Sequence, residues 1–516
     1  MNRYQNRALY SSPRTFPTGI RYEPIPQDGP PRSAVRTLLA AVWFAVLTLP
    51  IAGCREPQPK QQPAARAQSS AAPSKSAAVP LRVWFVGDKS AQPILERHWQ
   101  ASSERPLALT LMSEEELARA NKCESDVVVF PAHMLGEFIV RDWVVELPNA
   151  LQSKGAASDR SPSGQRASAT GEPDSRLSAA DVQPAGWTDQ ARFGRRLWGV
   201  SVSLTAPVVL SNFALPESFG AQPDAADEGQ SSADPKATWR SLIDALTAQS
   251  ESANQPRESR TSEPLEADAM AVCDRYLVIL TSLLERARVG MLFDPETLRP
   301  RLTEAEFVEA AIILQELHQA NGSSQALLGS YDAAWQALLD GAASVTIGLP
   351  PSASAELDKV TTIRAALPPK SVARAGSRIA RGWNSGHGLM VAVTTECRQT
   401  SQAIEFIRWL NGEPTRRVLS RQISGITSQS TYAPSSSAWQ AQRLANRLAE
   451  QPRLPMEPRL SRSIEYRRAL GEQLERILRG ERTAEEGLQA AADAWNQITA
   501  ADQKVLRAHY EASLGL

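Results

Sequence analysis

Short apolar runs alternate with segments of helical period through the middle of the chain. Leu81–Val86 and Asp126–Phe130 are almost wholly apolar, which is typical of strands buried on both faces. The segments between them, Ser90–Ser102 and Ser113–Ala120, carry the polar and apolar spacing of helices. This order of strand, helix and strand predicts βαβ units and a parallel sheet.

Further strands are expected where short apolar runs recur: Leu197–Val202, Val208–Ser211, Ala343–Leu349 and Gly388–Val393. The second half also carries helix signals. Thr303 with Glu306 and Thr483 with Glu486 have the spacing of capping boxes, which predicts that helices begin there. A third apolar face, made by Ile404, Ile407 and Leu410, stops at Gly412. Trp335 and Trp495 fall on apolar helix faces and are predicted to lie in the core.

Four polar segments contain too few apolar residues to offset the entropy of ordering. Residues 54–80 are predicted to be a disordered tether, and segments near 153–186, 221–237 and 248–269 are predicted to be low-complexity surface insertions. The body of the protein is therefore expected within residues 81–500.

The N-terminus contains an apolar run, Thr37–Pro50, preceded by Arg32 and Arg36 and followed by Ile51–Cys54. This order resembles the signal peptide of a bacterial lipoprotein, with residues 1–53 removed and Cys54 carrying the lipid. A single membrane-spanning anchor is the alternative, but the run is shorter than the roughly 20 apolar residues a span needs. The expected location is the cell envelope, lipid-anchored and facing the periplasm or exterior.

Composition excludes several classes of function. With 56 basic and 56 acidic residues the formal net charge is zero, and no cluster of Lys, Arg and aromatic residues suggests nucleic-acid binding. Cys123, Cys273 and Cys397 remain once Cys54 is assigned to lipid, so at most one disulfide forms, and its pairing stays open. The five histidines are scattered along the chain. No metal or other cofactor is therefore expected.

Five stretches occur in an order that is familiar from one family of proteins. They are Asp126–Phe130 with Trp143, Val144, Leu147 and Pro148; Arg196–Ser201 running into Val208–Asn212; Trp335–Ile347; Gly388–Val393 with Ser401–Leu410; and Tyr466–Ile498. Together they resemble the family 1 extracellular solute-binding proteins, the receptors of bacterial ABC importers, of which maltose-binding protein is a member. Ser201 and Ser211 depart from the proline and tyrosine that the family often has there.

The resemblance implies an α/β, two-lobe type II periplasmic-binding-protein fold, in which each lobe is a sheet flanked by helices and a hinge joins them. The first lobe would take roughly residues 81–205 and part of 345–425, and the second roughly 210–340 and the C-terminal helices. Trp335–Ile347 would return the chain to the first lobe. The ligand would lie between the lobes.

The function that the resemblance implies is binding of a small polar solute, with a carbohydrate favoured, and delivery to ABC importer permeases by a monomeric, membrane-tethered receptor. Two alternatives stay open: a two-lobe sensor or structural lipoprotein without transport, and a cell-envelope hydrolase. No Gly-x-Ser-x-Gly, His-Glu-x-x-His or comparable catalytic motif is present, so the protein is not expected to be an enzyme.

Candidate ligand contacts follow the carboxyl ends of the predicted strands, where α/β proteins bind ligands. They are Gly87, Asp88, Pro131, His133, Ser203 and Thr205. Gly87 and Pro131 could instead simply end their strands.

A second set combines aromatic rings with hydrogen-bonding groups, as suits a sugar. Trp383 and Asn384 lie in a Gly-flanked turn before a predicted strand, and Tyr432 and Ser435 form a similar pair. Trp383 could instead be a packing residue. The family resemblance also points to Tyr466, near the start of the closing helices.

Overall fold

A computed structural model describes these residues: 79–87, 91–147, 190–203, 205–216, 219, 234–252, 267–284, 292–322, 325–350, 360–369, 382–384, 387–423, 426, 435–450, 453–455, 459–501 and 503–514. The expected signal peptide with Cys54, nearly all of the expected tether and the insertion near 153–186 lie outside these ranges. Within them, every helix is too short or too polar to cross a membrane.

The strands are β1 (Leu81–Val86), β2 (Leu107–Met112), β3 (Val127–Pro131), β4 (Arg192–Phe193), β5 (Arg196–Leu197), β6 (Val200–Ser201), β7 (Val208–Ser211), β8 (Val345–Gly348), β9 (Arg364–Ala366), β10 (Gly382–Asn384), β11 (Leu389–Val393) and β12 (Arg453–Pro455). The helices are α1 (Ala91–Ser102), α2 (Glu114–Arg119), α3 (Leu135–Val140), α4 (Pro235–Ser252), α5 (Ala269–Leu283), α6 (Ala305–Ala320), α7 (Tyr331–Leu339), α8 (Thr400–Asn411), α9 (Glu413–Leu419), α10 (Ser437–Glu450), α11 (Ser463–Leu478), α12 (Ala484–Ala500) and α13 (Gln503–Ser513).

The first lobe is built on a five-stranded sheet of order β2-β1-β3-β11-β6. Strands β1, β2 and β3 are parallel, as the βαβ pattern predicts, and β11 runs antiparallel to β3 and β6. Trp99 of α1 packs edge-on against Phe406 of α8, and Phe138 of α3 packs on Phe130. These contacts form one continuous core that fixes the loops at the strand ends.

A buried carboxylate ties β3 to the rest of this lobe. Asp126 accepts two hydrogen bonds from the Arg82 side chain, at 2.9 and 3.0 Å, and another from each backbone N–H of Arg82 and Arg398. These bonds outweigh burial, which acts to raise the pKa of Asp126, so that its pKa is lowered.

The second lobe contains a three-stranded antiparallel sheet of order β8-β7-β9. Helices α4, α5, α6, α11, α12 and α13 share a large apolar core with it. Phe293 stacks on Trp495 with ring centroids 4.8 Å apart, and α7 and α10 contribute to a smaller core that includes Trp335. The predictions that Trp335 and Trp495 are core residues are therefore confirmed.

Two connections between the lobes pair with each other. One leads from β6 to β7 through Thr205, and the other leads from β10 to β11 through His387. Thr205 and His387 exchange both backbone hydrogen bonds, at 2.8 and 2.9 Å, and form an antiparallel bridge. The backbone between the lobes is thus held by hydrogen bonds at this point.

The structure corrects two sequence predictions. Trp335–Ile347 does not return the chain to the first lobe, because β8 pairs with β7 in the second lobe, and the return comes later, between β10 and β11. The capping box predicted at Thr303 is absent because the helix starts one residue later, with Glu304 at the N-cap. By contrast, the box at Thr483 forms with both of its hydrogen bonds.

Helix α4 also runs through the ends of two segments that the sequence suggests are insertions, those near 221–237 and 248–269. Trp239, Leu242 and Leu246 of this helix are buried in the core of the second lobe. The apolar spacing of residues 239–246 therefore anchors a helix whose two ends are polar.

Candidate functional site

Two polar side chains follow the carboxyl ends of parallel strands in the first lobe. Glu114 comes two residues after β2, in the first turn of α2, where Ser113 caps the helix. His133 comes two residues after β3, in a single 3₁₀ turn at Ala132–Met134. The imidazole Nε2 of His133 lies 3.4 Å from a carboxylate oxygen of Glu114. This edge of the sheet is where α/β folds place their ligands.

The second lobe contributes a carboxylate from a mostly apolar helix. Asp274 lies in α5, whose residues 271–280 are all buried. Its carboxylate forms an ion pair with Arg467 of α11 and accepts a hydrogen bond from the Tyr331 hydroxyl at 3.3 Å. The side chains of Asp274 and Arg467 are only 6% and 3% exposed, so this pair is buried between helices.

His387, from the connection between the lobes, completes the group. Its Nε2 lies 3.4 Å from the Asp274 carboxylate and 3.5 Å from the Tyr331 hydroxyl, and its ring meets that of Tyr331 edge-on at 5.7 Å. We call the six side chains of Glu114, His133, Asp274, Tyr331, His387 and Arg467 the interlobe cluster. Arg467 acts electrostatically on Glu114, and both His133 and Glu114 act on His387, so the polar side chains from both lobes and from the connection lie near one another.

The charges of the interlobe cluster depend on burial and on its internal pairing. Burial lowers the pKa of His387 to about 4; Asp274 opposes this shift, whereas Arg467 and His133 add to it. Burial acts to raise the pKa of Glu114, but attraction to His133, Arg467 and Arg468 outweighs it and lowers the value to about 2. At neutral pH His387 is uncharged and Glu114 is ionised.

We predict that stability falls as the pH falls from 6.5 to about 4, because the unfolded chain takes up a proton at His387 that the folded protein does not. His387→Gln should flatten the dependence of the melting temperature on pH in this window. Burial also lowers the pKa of His318 in α6, so His318→Gln should remove a further part of the slope. An unchanged slope in the double variant would contradict the prediction.

The two residues predicted after β6, Ser203 and Thr205, differ in their hydrogen bonds. The hydroxyl of Ser203 accepts a hydrogen bond from the Leu389 N–H at 3.2 Å. Thr205 is 2% exposed, and its Oγ1 has no hydrogen-bond partner among the described residues. Within the part of the chain that the structure describes, the Thr205 hydroxyl is therefore buried without a hydrogen bond.

The other predicted site residues are spread more widely. Gly87 directly follows β1 and donates its N–H to the Met112 carbonyl, and Pro131 is the last residue of β3. Trp383 and Asn384 form the backbone of β10, which pairs with β12 and runs close to α5, the helix of Asp274. Ser435 is exposed just before α10. Asp88, Tyr432 and Cys54 lie outside the described residues.

Of the six residues of the interlobe cluster, His133 is among those predicted from the sequence; the other five are not. One signal was available, because Asp274 and Arg275 interrupt an apolar helix and buried charges are rare without partners. Tyr466, suggested by the family resemblance, is instead a core residue, since its hydroxyl bonds Thr499 and its ring packs on Phe293. The next residue, Arg467, is the one that joins the cluster.

The Tyr331 hydroxyl can donate a hydrogen bond within the interlobe cluster. Burial and Asp274 raise the pKa of Tyr331 well above its usual range, so this hydroxyl stays protonated. The described residues also contain no group of three or more His, Cys, Asp or Glu side chains placed to hold a metal ion.

Neither a protein-family model nor a curated protein matches the sequence. Solved structures do match. The sugar-binding protein MalE from Xanthomonas citri is 15% identical with a TM-score of 0.54, covering 83% of this chain and 99% of its own. Maltose-bound MalE3 from T. maritima is 14% identical, with a TM-score of 0.52 and coverage of 82% and 100%.

An ABC transporter solute-binding protein from Agrobacterium radiobacter K84, solved in complex with ribitol, is 13% identical. Its TM-score is 0.53, and the match covers 81% of this chain and 98% of that protein. Likeness at such low identity carries information about the fold, and it agrees with the two sheets and paired connections described above. The chain therefore has the α/β, two-lobe fold of the periplasmic solute-binding proteins.

Proposed function

We propose that this protein is an extracytoplasmic receptor that binds a small polar solute, a carbohydrate or sugar alcohol, at the interlobe cluster and delivers it to an ABC importer. The observation that carries the proposal is the convergence of polar side chains from both lobes and from the connection between them. Proteins of the same fold are described as bound to maltose, tagatose, ribitol and D-mannitol. A ligand that bridges the lobes would stabilise their closed arrangement.

Binding without chemical conversion is the reading that the cluster supports. His387 has Asp274 and Tyr331 as its polar neighbours, and neither is an activated nucleophile. Asp274 is held by Arg467, which keeps its carboxylate from acting as a free base. We therefore propose that the solute leaves the protein unchanged.

The proposal is tested by a thermal-shift screen of the purified protein against sugars, sugar alcohols, amino acids and polyamines. A ligand present at 100 times its Kd adds about 2.7 kcal/mol to the free energy of unfolding, which is readily seen as a higher melting temperature. A response to a sugar or sugar alcohol, confirmed by calorimetry, is expected. A response confined to amino acids or polyamines would overturn the proposed ligand class.

We further propose that Cys54 carries a lipid that holds the receptor at the membrane, because its thiol is the atom of the Ile51–Cys54 motif that can be acylated. Cys54→Ser is expected to abolish labelling by a fatty acid and to release the protein from the membrane fraction. Cys123→Ser serves as the control, since Cys123 is buried in the first lobe. Unchanged labelling and fractionation of Cys54→Ser would refute the anchor.

A further inference from the structure

Helix α13, near the C-terminus of the chain, is anchored in the second lobe through Tyr510. The Tyr510 hydroxyl accepts hydrogen bonds from the backbone N–H groups of Leu292 and Phe293, at 3.2 and 3.1 Å. Its ring packs edge-on against that of Phe293, with centroids 5.3 Å apart, and Leu506 is buried in the same core. Tyr510 is only 3% exposed, so pulling it out of this lobe would expose a large ring and break two hydrogen bonds.

The last turn of the same helix contacts the first lobe. Gly194, in the hairpin of β4 and β5, donates its N–H to the carbonyl oxygen of Ala512 at 2.7 Å. A Cβ atom at Gly194 would lie 3.7 Å from the Ala512 methyl group, and Ala512 packs against the core of the first lobe. The rings of Phe193 and His509 lie 6.4 Å apart. Helix α13 therefore joins the two lobes in addition to the chain connections between them.

A second contact between the lobes lies at the start of α11. The backbone N–H of Arg462 donates to the Glu137 carboxylate of α3 at 2.7 Å. A Cβ atom at Gly136, also in α3, would lie 2.2 Å from the Arg459 carbonyl oxygen, so the two backbones approach each other closely. Leu460, in the same segment as Arg459 and Arg462, belongs to the core of the second lobe. The Arg462 hydrogen bond thus reports on contact between the lobes at a place where α13 takes no part.

The two attachments of α13 differ in strength. On the second lobe, α13 holds a buried tyrosine with two hydrogen bonds. On the first lobe it holds one backbone hydrogen bond and the packing of Ala512, which is only half-buried. When the lobes separate, the smaller attachment breaks first because it costs less free energy. Helix α13 then stays with the second lobe and leaves the β4–β5 hairpin.

From these contacts we infer that α13 is a C-terminal clasp: it moves with the second lobe, and its last turn binds the β4–β5 hairpin to hold the lobes together. The lobes can then open fully only when the hydrogen bond between Gly194 and Ala512 breaks. A small contact suits this role, since about 1.4 kcal/mol changes the open population about tenfold. The inference does not depend on what the protein binds, because every contact lies within the chain.

Ala512→Arg tests the clasp by placing a long charged side chain where the methyl group meets Gly194 and the first-lobe core. Arginine is a good helix former, so α13 itself should persist. Amide hydrogen exchange of the full chain, without added solute, is followed by mass spectrometry. Peptides that contain Gly194 and Arg462 should exchange at least tenfold faster than in the wild type, because both hydrogen bonds break when the lobes separate. Peptides from α6, inside the second lobe, should exchange at the wild-type rate.

Ala508→Arg is the matched control, since it makes the same substitution in the same helix at an exposed position. It should leave all of these exchange rates unchanged. Faster exchange at Gly194 with an unchanged rate at Arg462 would refute the clasp, because α13 would then dock on the hairpin without holding the lobes together.

Gly194→Asn approaches the same contact from the first lobe. Asparagine tolerates the left-handed backbone of this residue, whose φ is 59°, and its side chain would extend toward Ala512. This variant should also speed exchange at Arg462 about tenfold, and it decides the question if Ala512→Arg unfolds, which fast exchange throughout α6 would reveal. An unchanged rate at Arg462 in Gly194→Asn, with faster exchange at the hairpin, would overturn the inference and leave the proposed function untouched.

Discussion

Replacing Asp274 with alanine is expected to lower the free energy of unfolding by about 3 to 5 kcal/mol, the cost of breaking a buried ion pair. Arg467 would be left 3% exposed with its counter-charge gone, and Tyr331 and His387 would each lose a polar neighbour. Guanidinium-induced unfolding of the ligand-free protein measures the change directly.

A second ion pair in the same helix provides the control. Arg468 of α11 pairs with Glu115 of α2 at 2.7 Å, but these side chains are 44% and 45% exposed. Glu115→Ala should therefore cost less than about 1 kcal/mol, because water screens the pair and solvates the cation left behind. If Asp274→Ala and Glu115→Ala lowered the free energy of unfolding by similar amounts, burial of the Asp274–Arg467 pair would not be the cause of the loss.

Gly471→Ala is expected to destabilise the protein by about 3 kcal/mol, although alanine is the better helix former. Gly471 lies inside α11, where a Cβ atom would stand 1.9 Å from the carbonyl oxygen of Ala269 at the start of α5. A backbone oxygen cannot turn aside as a side chain can, so the two helices must separate. Chemical unfolding again measures the loss.

Gly487→Ala in α12 is the matched control for this prediction. A Cβ atom there would lie 2.6 Å from side-chain atoms of Ile477, which can move by changing rotamer. The expected loss is small because the gain in helix propensity, about 1 kcal/mol, offsets the repacking. A stability of Gly471→Ala equal to that of the wild type would contradict the close approach of α11 to α5.

Local patterns identified several elements correctly because the forces that form them act between near neighbours in the chain. Leu81–Val86 is a strand, as predicted, and the box at Thr483 starts a helix with both hydrogen bonds in place. Trp495 is buried on the apolar face that its spacing indicated. The capping box predicted at Thr303 does not form, because the helix begins one residue later than the sequence signal indicates, with Glu304 at the N-cap.

The direction of the chain between lobes was harder to predict. The Trp335–Ile347 segment has the helix and strand that the sequence suggests, but β8 joins the second sheet instead of the first. Which strands pair is decided by contacts between residues far apart in sequence. Thr346 and Leu210, for example, are opposed across β8 and β7.

The sequence by itself determined several strands and helices, the burial of Trp335 and Trp495, and the positions of His133 and Thr205 near strand ends, since each depends on spacing along a short stretch. Only the tertiary structure decided that Asp274 meets Arg467, 193 residues later, and that His387 lies beside Thr205. Burial lowers the pKa of His387 and keeps the side chain uncharged at neutral pH. The residues that bury it come from segments far apart in the sequence, so no local pattern predicts this charge. The candidate site is therefore a product of packing between distant segments, whereas the elements that carry it are products of local sequence.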